Sequence, residues 1–173
     1  MRPAAMFAAA FALSLTLGPA LAVADSGGKD DTATCKRGEV WDSRSGRCVK
    51  QGSALPDKVL RDYAAALSKA GRYDEALTTL DLLRNPNTAE ALNYRGYATR
   101  KLGRLDEGID YYRRSVALDP RYPLVREYLG EALVLKGDMG SAKAQLQAIK
   151  GICGTDCAQY KHLAAAIADP SRL

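Results

Sequence analysis

One pattern is written three times between residues 57 and 150: an apolar stripe at three- and four-residue steps, a short turn holding a glycine, and a second such stripe. In the first copy Leu60, Tyr63, Ala64 and Leu67 recur at helical spacing until Ala70-Gly71 stops them, and Ala76, Leu77, Leu80 and Leu83 mark the facing helix. Asp74 and Glu75 stand where the positive end of that second helix favours them. The second copy carries Leu92, Gly96, Leu102, Leu105, Ile109, Tyr112, Val116 and Leu118, and the third Leu129, Gly130, Leu133, Gly137-Asp138, Ala142, Leu146 and Ile149. A helix pair of this length cannot bury its apolar face alone. Copies written in tandem must therefore stack on one another. The units run 57–88, 89–122 and 123–150, the first shortened by Asn85-Pro86-Asn87, and together they predict an all-α stack of helix pairs.

The middle unit, AEALNYRGYATRKLGRLDEGIDYYRRSVALDPRY, closely resembles a tetratricopeptide repeat. Gly96, Gly103, Asp106-Glu107, Ile109, Tyr112 and Leu118-Asp119-Pro120 fall where that 34-residue motif places them. The resemblance implies a short α-α superhelix of about three repeats. It implies that the two helices of a repeat cross most closely at Gly96, with Gly108 replacing the usual alanine opposite. The third unit departs from the motif at Gly140-Ser141, where Asp-Glu is usual.

In this family the first helix of each repeat lines a concave groove, so the resemblance nominates groove residues by register. They are Lys58, Arg61, Asp62, Ala65 and Lys69; Glu90, Asn93, Tyr94, Tyr97, Arg100 and Lys101; and Glu127, Tyr128 and Glu131. Aromatics, an amide and charges of both signs suit an extended or helical peptide. A subclass that grips C-terminal carboxylates needs Asn where Ala65 stands and basic residues where Leu124 and Tyr128 stand, so that mode is not implied although Arg61 matches in charge. Tyr63, Tyr112 and Tyr160 are expected in the core, and Tyr94, Tyr97 and Tyr128 toward the groove. Converting Tyr97 and Arg100 together to alanine is expected to abolish partner capture with little loss of melting temperature.

Ahead of the repeats, Met1-Arg2 is followed by an apolar run from Ala4 to Leu17, then Gly18-Pro19 and the small-residue pattern Ala22-Val23-Ala24. That is the form of a secretory signal peptide over residues 1–24, its apolar stretch of about 14 residues being too short to span a bilayer. An exported protein is expected, periplasmic if bacterial as the signal's style indicates, or secreted. No transmembrane segment is expected. Residues 25–34 are polar and without periodicity, as in a disordered leader. The formal net charge of +5 is spread among acids rather than gathered in a basic block, so nucleic acid is not an expected partner.

Export makes disulfides the default for the four cysteines, which sit in two local pairs, Cys35 with Cys48 and Cys153 with Cys157. Of three connectivities the local one closes the shortest loops, worth roughly 3 and 2 kcal/mol in the chain-entropy model. Residues 35–52 then form a disulfide-closed loop whose Trp41 packs against the first repeat or plugs the loop it sits in, or else offers a stacking surface for sugar. Its spacing resembles one loop of extracellular chitin-binding modules, which makes glycan or cell-wall binding an alternative function. At the other end Gly154 can stop a helix and Asp156 with Gln159 can form a capping box. Tyr160, Leu163, Ala164 and Ile167 give residues 151–169 the stripe of a capping helix stapled by Cys153-Cys157. A metal or thiol-redox site at Cys153 and Cys157 is the remaining alternative, weakened because His162 lies about 500° of helical turn past Cys157. With one histidine and no nucleophile-base, paired-carboxylate or glycine-rich phosphate pattern, neither catalysis, nor a resident metal, nor a cofactor is expected. A non-catalytic scaffold for a protein or peptide, in an extracytoplasmic assembly, is the expected function.

Overall fold

Each repeated unit folds as two antiparallel helices in the computed structural model, which describes residues 34–51 and 54–173. The expected signal peptide and the leader as far as residue 33 lie outside the described residues. The pairs are α1 (Asp57–Lys69) with α2 (Tyr73–Leu80), α3 (Ala89–Lys101) with α4 (Leu105–Leu118), and α5 (Pro123–Lys136) with α6 (Met139–Cys153); α7 (Ala158–Ala168) and a 3-10 turn (Pro170–Arg172) follow. At the turns inside the second and third pairs Gly103 and Gly137 take φ of +84° and +83°, a left-handed backbone that a side chain disfavours. No helix among the described residues is long and apolar enough to cross a membrane.

Contact between α3 and α4 is nearly backbone to backbone. A Cβ on Gly96 would stand 2.7 Å from Tyr112 Cε1 and 3.1 Å from the Gly108 carbonyl oxygen. Gly108 is just as confined, since its Cβ would meet Arg100 Cβ and the Gly96 carbonyl at 3.0 Å each. The departure from alanine at Gly108 thus answers a steric need of this crossing, at a cost of about 1 kcal/mol in helix propensity. Tyr63 and Tyr112 are buried as expected, each in its own core, whereas Tyr160, expected there too, is only half-buried at the start of α7. One cluster gathers Leu60, Tyr63, Leu67, Leu80 and Ala98, the other Ile109, Tyr112, Val125, Leu129 and Leu133.

The first unit closes without the Leu-Asp-Pro terminator. Its second helix ends at Leu80 rather than reaching Leu83, and the amides of Leu82 and Leu83 turn back to the carbonyls of Thr79 and Leu80 at 3.2 and 3.3 Å. The Asp57 carboxylate then accepts from the amides of Arg84 and Asn85 at 3.1 and 2.9 Å, which ties the connection to the start of α1. These amide donors hold the Asp57 carboxyl below its ordinary pKa.

Ahead of α1, strands β1 (Glu39–Asp42) and β2 (Arg47–Lys50) pair antiparallel with Trp41 opposite Cys48, and the Cys35–Cys48 disulfide closes the loop. Val40 is fully buried in the first core and Trp41 packs against its edge. The Cys35 amide donates to Tyr63 Oη at 2.9 Å, and Arg72 Nη1 donates to the Cys35 carbonyl at 2.7 Å while its guanidinium also grips Glu75. The hairpin is therefore seated on the open end of the first repeat. Of the readings of Trp41, this is packing against the first repeat.

The C-terminal end meets expectation at one point and departs from it at another. As expected, α6 continues through Gly151 to Cys153 and stops at Gly154, with φ +79°. The Asp156 capping box does not form: α7 starts at Ala158 with Cys157 at the N-cap and no side-chain cap, the Cys157 carbonyl accepting from Lys161 at 3.2 Å. The Cys153–Cys157 disulfide explains the missing box, because it pins Cys157 beside the end of α6 and leaves Asp156 pointing outward. All four cysteines are paired. Leu163 of α7 fills the space above Gly130, where a Cβ would lie 2.6 Å from Leu163 Cδ1.

Candidate functional site: the concave face

The 34-residue step sets the site's geometry. It places Asn93 with Glu127, Tyr94 with Tyr128 and Tyr97 with Glu131 at matching turns of the successive first helices α3 and α5. Across this face runs a row of tyrosines. Tyr73 and Tyr97 meet edge to face at 6.3 Å between ring centroids, Tyr97 and Tyr128 lie 5.1 Å apart, and Tyr128 reaches the buried Tyr112 at 6.2 Å. Arg100 and Lys101 both place their cationic ends over the Tyr97 ring, at 5.6 and 5.8 Å from its centroid. Tyr94, Tyr97, Tyr122 and Tyr128 are half-buried, and burial raises the pKa of each phenol. All four are therefore neutral hydrogen-bonding groups at physiological pH.

The predicted groove residues separate by depth. Lys58, Asp62, Lys69, Glu90 and Lys101 are exposed, with Lys58 and Asp62 paired at 2.6 Å; Arg61, Ala65, Tyr94, Tyr97, Tyr128 and Glu131 are half-buried. Asn93, Arg100 and Glu127 lie beneath the surface, which corrects their nomination as partner contacts. Asn93 is wholly enclosed, with its Nδ2 donating to Tyr122 Oη at 3.5 Å. Arg100, its side chain 4% exposed, donates from Nη2 to Glu131 Oε2 at 3.0 Å and interacts with the Tyr112 hydroxyl. Glu127 Oε1 lies 2.9 Å from His162 Nδ1, so the chain's one histidine joins α7 to α5. Arg100 and Glu127 thus bind the array together: one spans α3 to α5 and the other α5 to the cap.

Burial raises the Glu127 pKa above the ordinary glutamate range, against the opposing pull of the His162 hydrogen bond. A raised folded-state pKa means that the fold favours the protonated acid. Its stabilising share is whole below the ordinary glutamate pKa and is lost as pH rises through the folded value. Glu127→Gln keeps an acceptor for His162 without the buried charge. Its stability relative to wild type is expected to climb as pH rises from the acid side of the glutamate range to neutrality. Urea midpoints of both proteins measured across that window check this, and a difference that does not change with pH refutes it.

Register alone did not find Tyr73 or Tyr122. Tyr73 opens α2 and Tyr122 precedes Pro123 at the start of α5, both at turns outside the first-helix stripe. Two tyrosines at the mouths of helices in a groove-forming repeat were the available signal.

The family model of the tetratricopeptide repeat matches residues 62–123, from within α1 to the start of α5. Residues 62–123 carry the tetratricopeptide repeat. Among solved structures this repeat array is similar to the type III secretion translocator chaperone SycD of Yersinia enterocolitica, with 17% identity over 67% of this chain and 86% of that one and a TM-score of 0.57. It is similar also to the first such domain of Spaghetti (RPAP3) bound to the HSP90 peptide SRMEEVD, with 18% identity over 68% and 94% and a TM-score of 0.57. MamA is a third, with 19% identity over 66% and 68% and a TM-score of 0.55. At these identities the likeness is one of fold. No curated protein matches the sequence.

Proposed function

We propose that this chain is a non-catalytic scaffold that holds a protein or peptide in an extracytoplasmic assembly, with the concave face as its docking surface. The observation that carries the reading is the row of half-buried tyrosines, Tyr73, Tyr97 and Tyr128, joined ring to ring across that face and flanked by Lys101. Rigid aromatic surfaces with polar tips make good contact area at little cost in side-chain entropy. Similar folds support it: RPAP3 is bound to an HSP90 peptide, and SycD is in complex with a peptide of the translocator YopD. The signal-like residues 1–24 support export to the periplasm or the medium, and two cystines suit an oxidising compartment.

Affinity capture from the native envelope tests the docking surface. Wild type is expected to retain a defined partner, and Tyr97→Ala with Lys101→Ala to lose it while keeping a cooperative melting transition. Trp41→Ala is expected to keep the partner, since Trp41 packs against the first core. Equal capture by the Tyr97/Lys101 variant removes the concave face from the proposal, and loss with Trp41→Ala alone moves binding to the hairpin.

A further inference from the structure

The two cystines stand in opposite environments. Cys35 is 5% exposed and belongs to the first core, its amide held by Tyr63 Oη, while its partner Cys48 lies at the surface. Attack at Cys48 would leave the departing charge on the Cys35 sulfur, among apolar side chains where a thiolate is disfavoured. Between Cys153 and Cys157 the arrangement is reversed. Cys153, the last residue of α6, is exposed, and Cys157 is half-buried at the N-cap of α7. The amides of Ala158, Gln159 and Tyr160 have no acceptor within the helix, whose first backbone bond runs from Lys161 to the Cys157 carbonyl, and no side chain caps them. A thiolate on Cys157 supplies the acceptor that a capping side chain would. Around it stand Lys150 in the last turn of α6, Asp156 paired with Lys161 at 3.9 Å, and His162 held by Glu127.

We propose that Cys153–Cys157 is a site of thiol–disulfide exchange cycled by a dithiol oxidoreductase, and that Cys35–Cys48 resists the same reductant. A thiolate of the dithiol attacks the Cys153 sulfur, and the bond to Cys157 breaks with its electron pair leaving on Cys157, against the α7 amides. A mixed disulfide then joins Cys153 to the reductant. The second thiol of the reductant attacks its own sulfur in that bond and releases Cys153. The dithiol ends as a disulfide, and its two protons pass to the two cysteine sulfurs. The partner's oxidised form reverses the exchange. α7 stays seated throughout, because Leu163 is buried over Gly130 of α5 and His162 holds Glu127, contacts that involve neither sulfur. What opens is the link 154–156 between two helices, not the fold.

The test uses the full chain in its oxidised form, with dithiothreitol as the dithiol and glutathione as a monothiol. Folded protein is equilibrated at graded ratios of reduced to oxidised dithiothreitol, quenched in acid, alkylated and mapped by mass spectrometry, so that each cystine is read separately. Cys153–Cys157 is expected to be half reduced at a ratio about tenfold or more below that for Cys35–Cys48, with the helical circular dichroism signal retained. Reduction of both at one ratio, or of Cys35–Cys48 first, overturns the proposal. So does loss of the helical signal as Cys153–Cys157 opens, since the bond is then a structural staple. With glutathione the first product is expected to carry the tripeptide on Cys153 and an alkylatable thiol on Cys157, in about tenfold excess over the reverse isomer. An even mixture, or an excess of the reverse isomer, overturns the roles given to the two sulfurs.

Discussion

Arg100→Ala is expected to destabilise the fold by about 3 kcal/mol, the scale of breaking a buried ion pair from one side. For a domain of this size that lowers the melting temperature by ~10 °C. The guanidinium is almost fully enclosed, bonded to Glu131 at 3.0 Å and placed 5.6 Å from the Tyr97 ring centroid. Truncation leaves the Glu131 carboxylate without its cation and opens a space beside Gly108, which the Arg100 stem now occupies. A paired comparison isolates the charge. Arg100→Met with Glu131→Gln removes both charges and keeps the volume, and it is expected to recover much of the lost stability. Urea unfolding of the three variants measures this; an Arg100→Ala protein within a degree of wild type would show that the pair carries no weight. The same geometry overturns the expectation from register that Tyr97 and Arg100 can be removed together at little cost. Loss of binding in that double variant would report unfolding, which is why Lys101 is the better partner for Tyr97 in a binding test.

Gly96→Ala and Gly151→Ala should move stability in opposite directions although both add a methyl to a helix. At Gly96 the new Cβ meets the fully buried Tyr112 ring at 2.7 Å and the Gly108 carbonyl oxygen at 3.1 Å. Neither can retreat, because the ring is packed on all sides and the oxygen belongs to α4 itself. Overpacking of that kind costs about 1–3 kcal/mol, which exceeds the helix-propensity gain of roughly 1. At Gly151 nothing lies within 4 Å, the residue is exposed inside α6, and alanine is expected to add about 0.5–1 kcal/mol. Denaturation midpoints of the two variants compare directly. A stabilised Gly96→Ala would mean that α3 and α4 do not cross at that point.

Much of the architecture could be read from residue order. Apolar spacing marks six paired helices and a seventh, glycines mark their turns, and short cysteine separations fall on the two disulfides. These are local properties, decided within a turn or two of helix or a short loop. Residue order misled where another bond, near or far along the chain, competed with a local preference. Asp156 and Gln159 have the right types for a capping box, but the cystine beside them takes Cys157 to the end of α6 and the helix starts there instead. The shortened first repeat lacks its usual terminator, and Asp57, twenty-seven residues earlier than Arg84, supplies the acceptor that closes it.

The candidate site divides in the same way. From the sequence alone came the face: a 34-residue period places Asn93, Tyr97, Arg100, Glu127, Tyr128 and Glu131 on one side of the array, because helical register fixes angular position. Depth within that face belonged to the tertiary structure. Tyr122 covers Asn93, α7 brings His162 onto Glu127, and the close α3–α4 crossing sinks Arg100 beside Gly108. Angular position follows from the chain's own geometry, whereas burial depends on which distant segment packs above a side chain, and no local pattern carries that.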